Sequence, residues 1–341
     1  MLRSIKKKEV EKMKVLVAAN RSDETEIFEK VNRRFGFELT FMQEQLTEDH
    51  LDRAAGFDAL CINAGCRITR QAAYQLSQMG VRYILTRAAG KDHLDISAIK
   101  EFGLKSANVP AYSPNAISEH TLLLILAMLR KLKKQLKTIE DQYFFITGLR
   151  GRELRSMTVG VLGTGRIGSK TVQNLSGYGC KILACDLYEN PEVTPYADYV
   201  TREELLSESD IVVLHCPMLE ENYHLINTSA IAAMKDGAML VNTARGALVD
   251  SQAVYEALKS GKLSAFAMDV YEFEDKTQRR DYRQKELDDE LLRGLLAMDQ
   301  VIYTSHTAFY TEEAIENIIE TSLSNLYEWI TEGVCKNETE V

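Results

Sequence analysis

No two of the six cysteines (Cys61, Cys66, Cys180, Cys185, Cys216, Cys335) stand in a C-x-x-C pair, and four of them sit inside or at the end of apolar runs. In a chain of 341 residues that pattern excludes a disulfide framework and suits a reducing cytoplasm. The six histidines form no pair with convincing ligand spacing to Cys or Asp, so no metal is expected. Positive charge is in deficit, with 41 basic against 50 acidic side chains and a net charge of −9. Affinity for nucleic acid comes largely from phosphate neutralisation, so no nucleic-acid partner is expected. Long apolar runs are also missing. The longest, "LLLILAML" at 122–129, falls well short of the roughly 20 residues that cross a bilayer, and reads as a buried helix. The N-terminal apolar stretch Val15–Ala19 is too short for a signal peptide. Residues 1–12 read as a charged tail, or the chain starts at Met13. No internal repeat or low-complexity tract is visible.

What is present is an alternation of strand-like and helical patterns, which predicts βα units and parallel sheets. The length favours two domains. In the first third the expected strands are 14–19, 37–41, 58–62 and 82–86. A long helical pattern from about Asn115 to Tyr143 breaks that rhythm, apolar at its centre and basic afterwards. From Met157 a second series, "TVGVLG", "KILACD", "DIVVLHCP", "AMLVNT", "SAFAMDV" and "QVIYT", predicts a six-stranded doubly wound sheet. Residues 275–290, dense in charge, read as a solvated excursion.

Within "TVGVLGTGRIGSK", Gly163, Gly165 and Gly168 form G-x-G-x-x-G directly after a strand and at the opening of a helix, with Arg166 and Ile167 between the last two glycines. That context turns a weak hexapeptide into a dinucleotide cradle: a tight turn, a close approach for pyrophosphate, and a helix N-terminus with unpaired N–H groups. Asp186 ends the next strand, where a carboxylate accepts from the adenosine ribose and repels a 2′-phosphate, so the expected cofactor is NAD. The alternative is a glycine turn in an unrelated α/β sheet.

Three further polar groups follow strand ends, the side on which such sheets bind ligands. "NTARGALVD" places Arg245 after an apolar strand, where a half-buried cation needs a partner; a ligand carboxylate is one, and a helix end or Asp250 is another. "AFAMDVYEFED" supplies Asp269, Glu272 and Glu274, and "VIYTSHTAFYT" supplies His306. Ketone reduction needs a hydride, a proton and a hold on the substrate. A nicotinamide gives the first, a charged His306 beside a carboxylate the second, and Arg245 the third. His50, His93, His120, His215 and His224 read as structural.

The motifs "VGVLGTGRIG", "NTARGALVD", "MDVYEFE" and "SHTAFYT", in that order, resemble those of the D-isomer-specific 2-hydroxyacid dehydrogenases. The closest likeness is to the D-lactate dehydrogenase branch, with the glycopeptide-resistance enzymes and the clostridial (R)-2-hydroxyisocaproate dehydrogenases. The resemblance runs from about Lys14 to the end of the chain. It implies an α/β fold of two Rossmann-like or flavodoxin-like parallel-sheet domains with a cleft between them. Residues 1–111 and 309–341 would form the substrate (catalytic) domain, and 112–308 the NAD-binding domain with a dimerisation helix at about 115–145. The expected partners are a small 2-oxo acid and a second copy of the chain. It further implies that Arg245 binds and polarises the 2-oxo acid, that Glu274 pairs with His306, and that His306 donates the proton. Asp269 would meet the carboxamide side of the nicotinamide, and Cys216, Pro217, Asn222, Thr243 and Ala244 would line the cofactor. Backbone amides at Ala89 and Gly90 would hold the substrate carboxylate, and Tyr112 and Phe309 would line its pocket. Two departures stand out. "INAGCRIT" puts Ala64, Gly65 and Cys66 where the lactate enzymes often carry an aromatic, which leaves room for a substrate larger than pyruvate. Lys91 replaces an uncharged neighbour of the carboxylate loop and points either to solvent or to a second anion contact. A phosphoglycerate- or glyoxylate-type dehydrogenase and an NAD-sensing co-repressor are the alternatives; "AYSP" and "HTAFYT" weigh against the former, and the lack of a peptide-docking extension against the latter.

Overall fold

The structure, a computed structural model, describes residues 10, 12–277 and 280–340. Most of the expected tail (1–9 and 11) and two residues of the charged excursion (278 and 279) lie outside the described residues. The chain divides into two compact units, one running to Ser113 and resuming at Tyr310, the other Pro114–Phe309.

The first unit is built on five parallel strands: β1 (Lys14–Val17), β2 (Glu38–Phe41), β3 (Ala59–Ile62), β4 (Tyr83–Thr86) and β5 (Lys105–Ala107). They lie in the order β2-β1-β3-β4-β5, the flavodoxin-like arrangement. The four expected strands are present. β5 is additional, because "KSA" is short and has no apolar run to announce it. β1 stops at Val17 because Ala19 turns into the left-handed region at φ 52°. Helices Arg70–Gln78, Ile96–Glu101 and Glu312–Glu332 start where a side chain takes an otherwise unpaired N–H: Thr69 from Ala72, Asp95 from Ala98, Thr311 from Ala314. Leu60, Ile62, Leu76, Ile84 and Ile99, all fully buried, fill the core between sheet and helices.

The second unit carries β6 (Thr158–Leu162), β7 (Lys181–Cys185), β8 (Asp198–Tyr199), β9 (Ile211–Leu214), β10 (Ala238–Asn242), β11 (Leu263–Met268) and β12 (Val301–Tyr303). All pair in parallel, in the order β12-β11-β10-β9-β6-β7-β8. Seven strands replace the six expected; the extra one, β8, is a two-residue edge below the reach of any periodicity. The direction of winding reverses between β6 and β9, so the crevice beyond their carboxyl ends is the natural ligand position.

The long helix expected from Asn115 to Tyr143 is two helices, Pro114–Leu129 and Leu132–Glu140. The break has a local cause. The Leu129 carbonyl accepts from Arg152 N at 3.0 Å, and Lys131 turns left-handed at φ 52°. The first helix is buried on most sides, whereas the second buries none of its residues.

Leu240 in central strand β10 is fully buried. Leu240→Ala is expected to destabilise the protein by about 2–5 kcal/mol through lost transfer energy and an unfilled cavity. A urea unfolding series in which the midpoint falls at unchanged slope would show it; a loss below about 1 kcal/mol would place the residue outside the rigid core.

Candidate active site

The chain leaves β6 through Gly163, whose φ of 93° suits glycine. A Cβ on Gly163 would come within 2.6 Å of Cys216 N, so β6 and β9 nearly touch at the reversal point. A Cβ on Gly168 would fall 1.9 Å from Gly163 O, which locks the helix Arg166–Ser176 onto the strand end. Gly165 alone faces open space, with nothing within 4 Å of a Cβ. Two glycines thus serve the protein's own packing and the third keeps clear the approach to the helix N-terminus, where Arg166 and Ile167 form the first turn. That is a cradle of the shape and polarity a pyrophosphate needs.

Asp186 is exposed just past β7 and fixes the same loop. Its Oδ2 accepts from Thr164 N (2.5 Å) and Thr164 Oγ1 (3.1 Å), and its Oδ1 from Leu187 N (2.7 Å). Tyr199, on the additional strand β8, donates its hydroxyl to Thr164 Oγ1 at 2.8 Å. Cradle and acid together fit a dinucleotide. Cys216 is half-buried, and burial pushes its thiol up to about 11, so it lines the site as a neutral group. Asn222 closes the loop after β9: its Nδ2 donates to Pro217 O and its Oδ1 accepts from Leu219 N, both at 2.7 Å.

Arg245 lies in a turn fastened by a residue that the sequence alone does not single out. Asn242, buried at the end of β10, donates from Nδ2 to Arg245 O (2.8 Å) and accepts at Oδ1 from Ala244 N (3.0 Å). An asparagine ending a strand looks like ordinary turn chemistry, and only the fold shows both ends of its amide clasping one loop. Thr243 shares a hydroxyl bond with Thr121 at 2.9 Å. The Arg245 guanidinium is half-buried and donates from Nη1 to Ala244 O at 2.8 Å. Asp250 accepts from Ala253 N and caps the next helix.

His306 follows β12 with φ 59°, after Ser305 at φ 52°. Two successive left-handed residues without glycine are strained and persist only when the surroundings over-determine them. Asp269 does so. Its backbone carbonyl accepts from His306 N at 2.5 Å. Its Oδ1 accepts from Thr304 Oγ1 (2.5 Å) and Thr307 N (2.8 Å), and its Oδ2 from Ala308 N (3.0 Å). Expected beside a nicotinamide, Asp269 is 1% exposed and spends its carboxylate on the turn that carries His306. The imidazole Nδ1 stands 3.0 Å from Glu274 Oε1, and the Phe309 ring meets it edge-on at 6.2 Å between centroids. Arg245, Glu274 and His306 therefore follow the carboxyl ends of three adjacent strands: β10, β11 and β12.

In the first unit the segment Ala88–Gly90 follows β4. Arg87 beneath it is buried, donating to Glu24 Oε2 (2.8 Å), Ala18 O (2.7 Å) and Ala19 O (3.1 Å). Ala89 O accepts from Asn108 Nδ2 at 2.8 Å. Tyr112 O accepts from Asn317 Nδ2 at 2.8 Å. Lys91 is exposed, and its Nζ donates to Glu340 O at 3.3 Å. Of the three small residues after β3, Cys66 belongs to the core, which leaves exposed Ala64 and half-buried Gly65 at the surface. Among the described residues no group of three His, Cys, Asp or Glu could hold a metal ion, and no helix is long and apolar enough to cross a membrane.

Comparison with known proteins bears on this arrangement. The D-isomer specific 2-hydroxyacid dehydrogenase NAD binding domain matches residues 122–308. An aromatic 2-oxoacid reductase of Clostridium sporogenes is 39% identical, over 96% of this chain and 99% of its own. Among solved structures, the apo D-lactate dehydrogenase of Escherichia coli superposes with a TM-score of 0.87 at 39% identity, over 96% of this chain and 100% of its own. An NAD-complexed D-isomer specific 2-hydroxyacid dehydrogenase of Lactobacillus delbrueckii ssp. bulgaricus does so at 0.81 and 28% identity, over 96% of this chain and 100% of its own.

Behind the cradle lies His215. It is half-buried with Nδ1 out of water, bonded through Nε2 to Thr171 Oγ1 at 2.9 Å, and desolvation lowers its pKa from 6.5 to about 3. The unfolded chain takes up a proton near 6.5 that the folded one refuses, so this residue makes stability fall as pH drops from 6.5 towards 3. His215→Asn removes the titration. The difference in urea midpoint between native and variant is expected to narrow from pH 7 to 4.5, and a constant difference would show that His215 is not held neutral.

Proposed function

The chain belongs to the D-isomer specific 2-hydroxyacid dehydrogenase family, and from that premise we propose the part each of its residues takes in the NAD-dependent reduction of a 2-oxo acid. Bound NADH supplies the hydride. Gly163, Gly165, Arg166, Ile167 and Gly168 hold its pyrophosphate. Asp186 receives the ribose, and Cys216, Pro217, Asn222, Thr243 and Ala244 line the remainder. Asp269 supports the nicotinamide side through the turn it organises.

Arg245 takes the substrate carboxylate in its planar fork and polarises the neighbouring carbonyl, a bidentate task that lysine performs poorly. The observation that carries the reading is the 3.0 Å contact of His306 Nδ1 with Glu274 Oε1. With Nδ1 bound to a carboxylate, the ring is oriented and Nε2 becomes the proton-bearing tip. His306 then donates from Nε2 to the oxygen that gains negative charge as the carbonyl is reduced, and Glu274 stabilises the imidazolium beforehand. The product is the (R)-2-hydroxy acid. Backbone amides of Ala89 and Gly90 hold the carboxylate, and Tyr112 and Phe309 surround the side chain. The small rim at Ala64 and Gly65 favours a side chain bulkier than methyl. Residues 1–111 with 309–341 act as the substrate domain and 112–308 as the cofactor domain. Six free thiols suit a cytoplasmic setting.

The segment 115–145 is the dimer arm in this reading. Leu136 (55%), Ile139 (54%), Phe144 (71%), Phe145 (68%) and Ile146 (85%) expose an apolar surface at its end that a monomer seldom leaves bare.

Two measurements test these assignments. In NADH-oxidation assays with phenylpyruvate, a branched-chain 2-oxo acid and pyruvate, kcat/KM is expected to be lowest for pyruvate. His306→Gln should lower kcat by about 10²–10⁴-fold, the range for a general acid, and Arg245→Ala should raise KM for the 2-oxo acid while NADH still binds. Near-native kinetics in either variant would remove that residue from its role. Light scattering should give a dimer mass for the native chain and a monomer mass for the double variant Phe144→Glu, Ile146→Glu; a dimer in both would move the interface elsewhere.

A further inference from the structure

The turn Tyr271–Glu274 carries two carboxylates, and the reaction uses only Glu274. Glu272 makes a second histidine pair of its own: its Oε1 is 2.6 Å from His224 Nε2, with the two side chains 7% and 25% exposed. Its other oxygen, Oε2, accepts from Ser251 N at 3.1 Å. His224 N in turn donates to Ala247 O at 2.9 Å. The glutamate therefore grips the segment that begins at Arg245 in two places, at Ser251 directly and at Ala247 through the histidine. A third contact closes the arrangement. A Cβ on Gly246 would lie 2.2 Å from Tyr271 O, so the residue after Arg245 rests on the backbone that bears Glu272. His224 holds φ 50° and stacks on Tyr223 at 3.9 Å, a strained posture kept by these bonds.

We propose that His224 and Glu272 are a positioning pair for Arg245, setting the turn from which its guanidinium reaches the substrate carboxylate. The inference rests on Arg245 being the carboxylate clamp. Neither residue touches reacting atoms; they act through the turn. A largely buried carboxylate that loses its partner, or a buried donor that loses its acceptor, pulls neighbouring backbone out of place. Displacements of about 1 Å in a group that holds a substrate cost up to 10²-fold in rate.

The test is a steady-state series on the full-length enzyme. Glu272→Ala is expected to raise KM for the 2-oxo acid about tenfold or more, with the NADH dissociation constant unchanged within about twofold. Glu272→Gln keeps an acceptor for Ser251 N and turns an amide N–H towards His224 Nε2, which accepts it as the Nδ1–H tautomer, so this variant should stay within about threefold of native. His224→Ala should show the same split as Glu272→Ala, and it carries the test if Glu272→Ala does not fold. A purely structural pair would lower Tm and leave KM for the 2-oxo acid at its native value in every folded variant, which would overturn the proposal. Arg245→Ala is run beside them. A raised KM there with native KM in the Glu272 and His224 variants defeats the positioning pair alone, whereas native KM in Arg245→Ala defeats the clamp and the pair together.

Discussion

A carboxylate withdrawn from water has to be satisfied by the protein, and Asp269 is satisfied by the turn that presents His306. Thr304, Thr307 and Ala308 all donate to its side chain, and its backbone carbonyl takes the N–H of His306 itself. Those bonds hold Ser305 and His306 in left-handed conformations that neither residue adopts by preference. Remove them and the imidazole has no fixed direction, and Glu274 no fixed target. The proposed acid is therefore anchored by an interior charge.

The same logic recurs one strand away. The Arg245 turn is clasped from inside by a buried amide, Asn242, and from outside by contacts to Tyr271 and Glu272. The proposed clamp and the proposed acid are thus each carried on a short loop, and each loop is fastened by a polar side chain that is itself buried. Buried polar networks are costly when incomplete, which is why their completion makes the loops rigid.

Much of this is legible in the chain and some is not. Strands with continuous apolar runs, such as "VLV", "ALCI" and "IVVL", announce themselves. Short edge strands do not, because three residues at Lys105–Ala107 or two at Asp198–Tyr199 carry no periodicity. The glycine loop is legible since backbone proximity forces the residue type. The bonds that Asp269 makes to the turn bearing His306 are hidden, because a sequence cannot say which backbone groups a side chain at a strand end meets. Asn242 and Glu272 are hidden for a related reason: their value lies in the particular backbone groups they meet, and those groups come together only on folding.

The interruption at Lys131 separates two jobs that one continuous helix would have coupled. Each residue added to a helix rotates all later positions by about 100°. An insertion before Leu129 would rotate the apolar residues of Pro114–Leu129 away from the interior they fill. The chain is re-registered at the break, with the Leu129 carbonyl already committed to Arg152, so an insertion beyond it would swing only the exposed second helix. The orientation of that outer helix can thereby be set by its own anchors, such as Lys133 Nζ on the carbonyls of Leu296, Met298 and Val301, without cost to the interior.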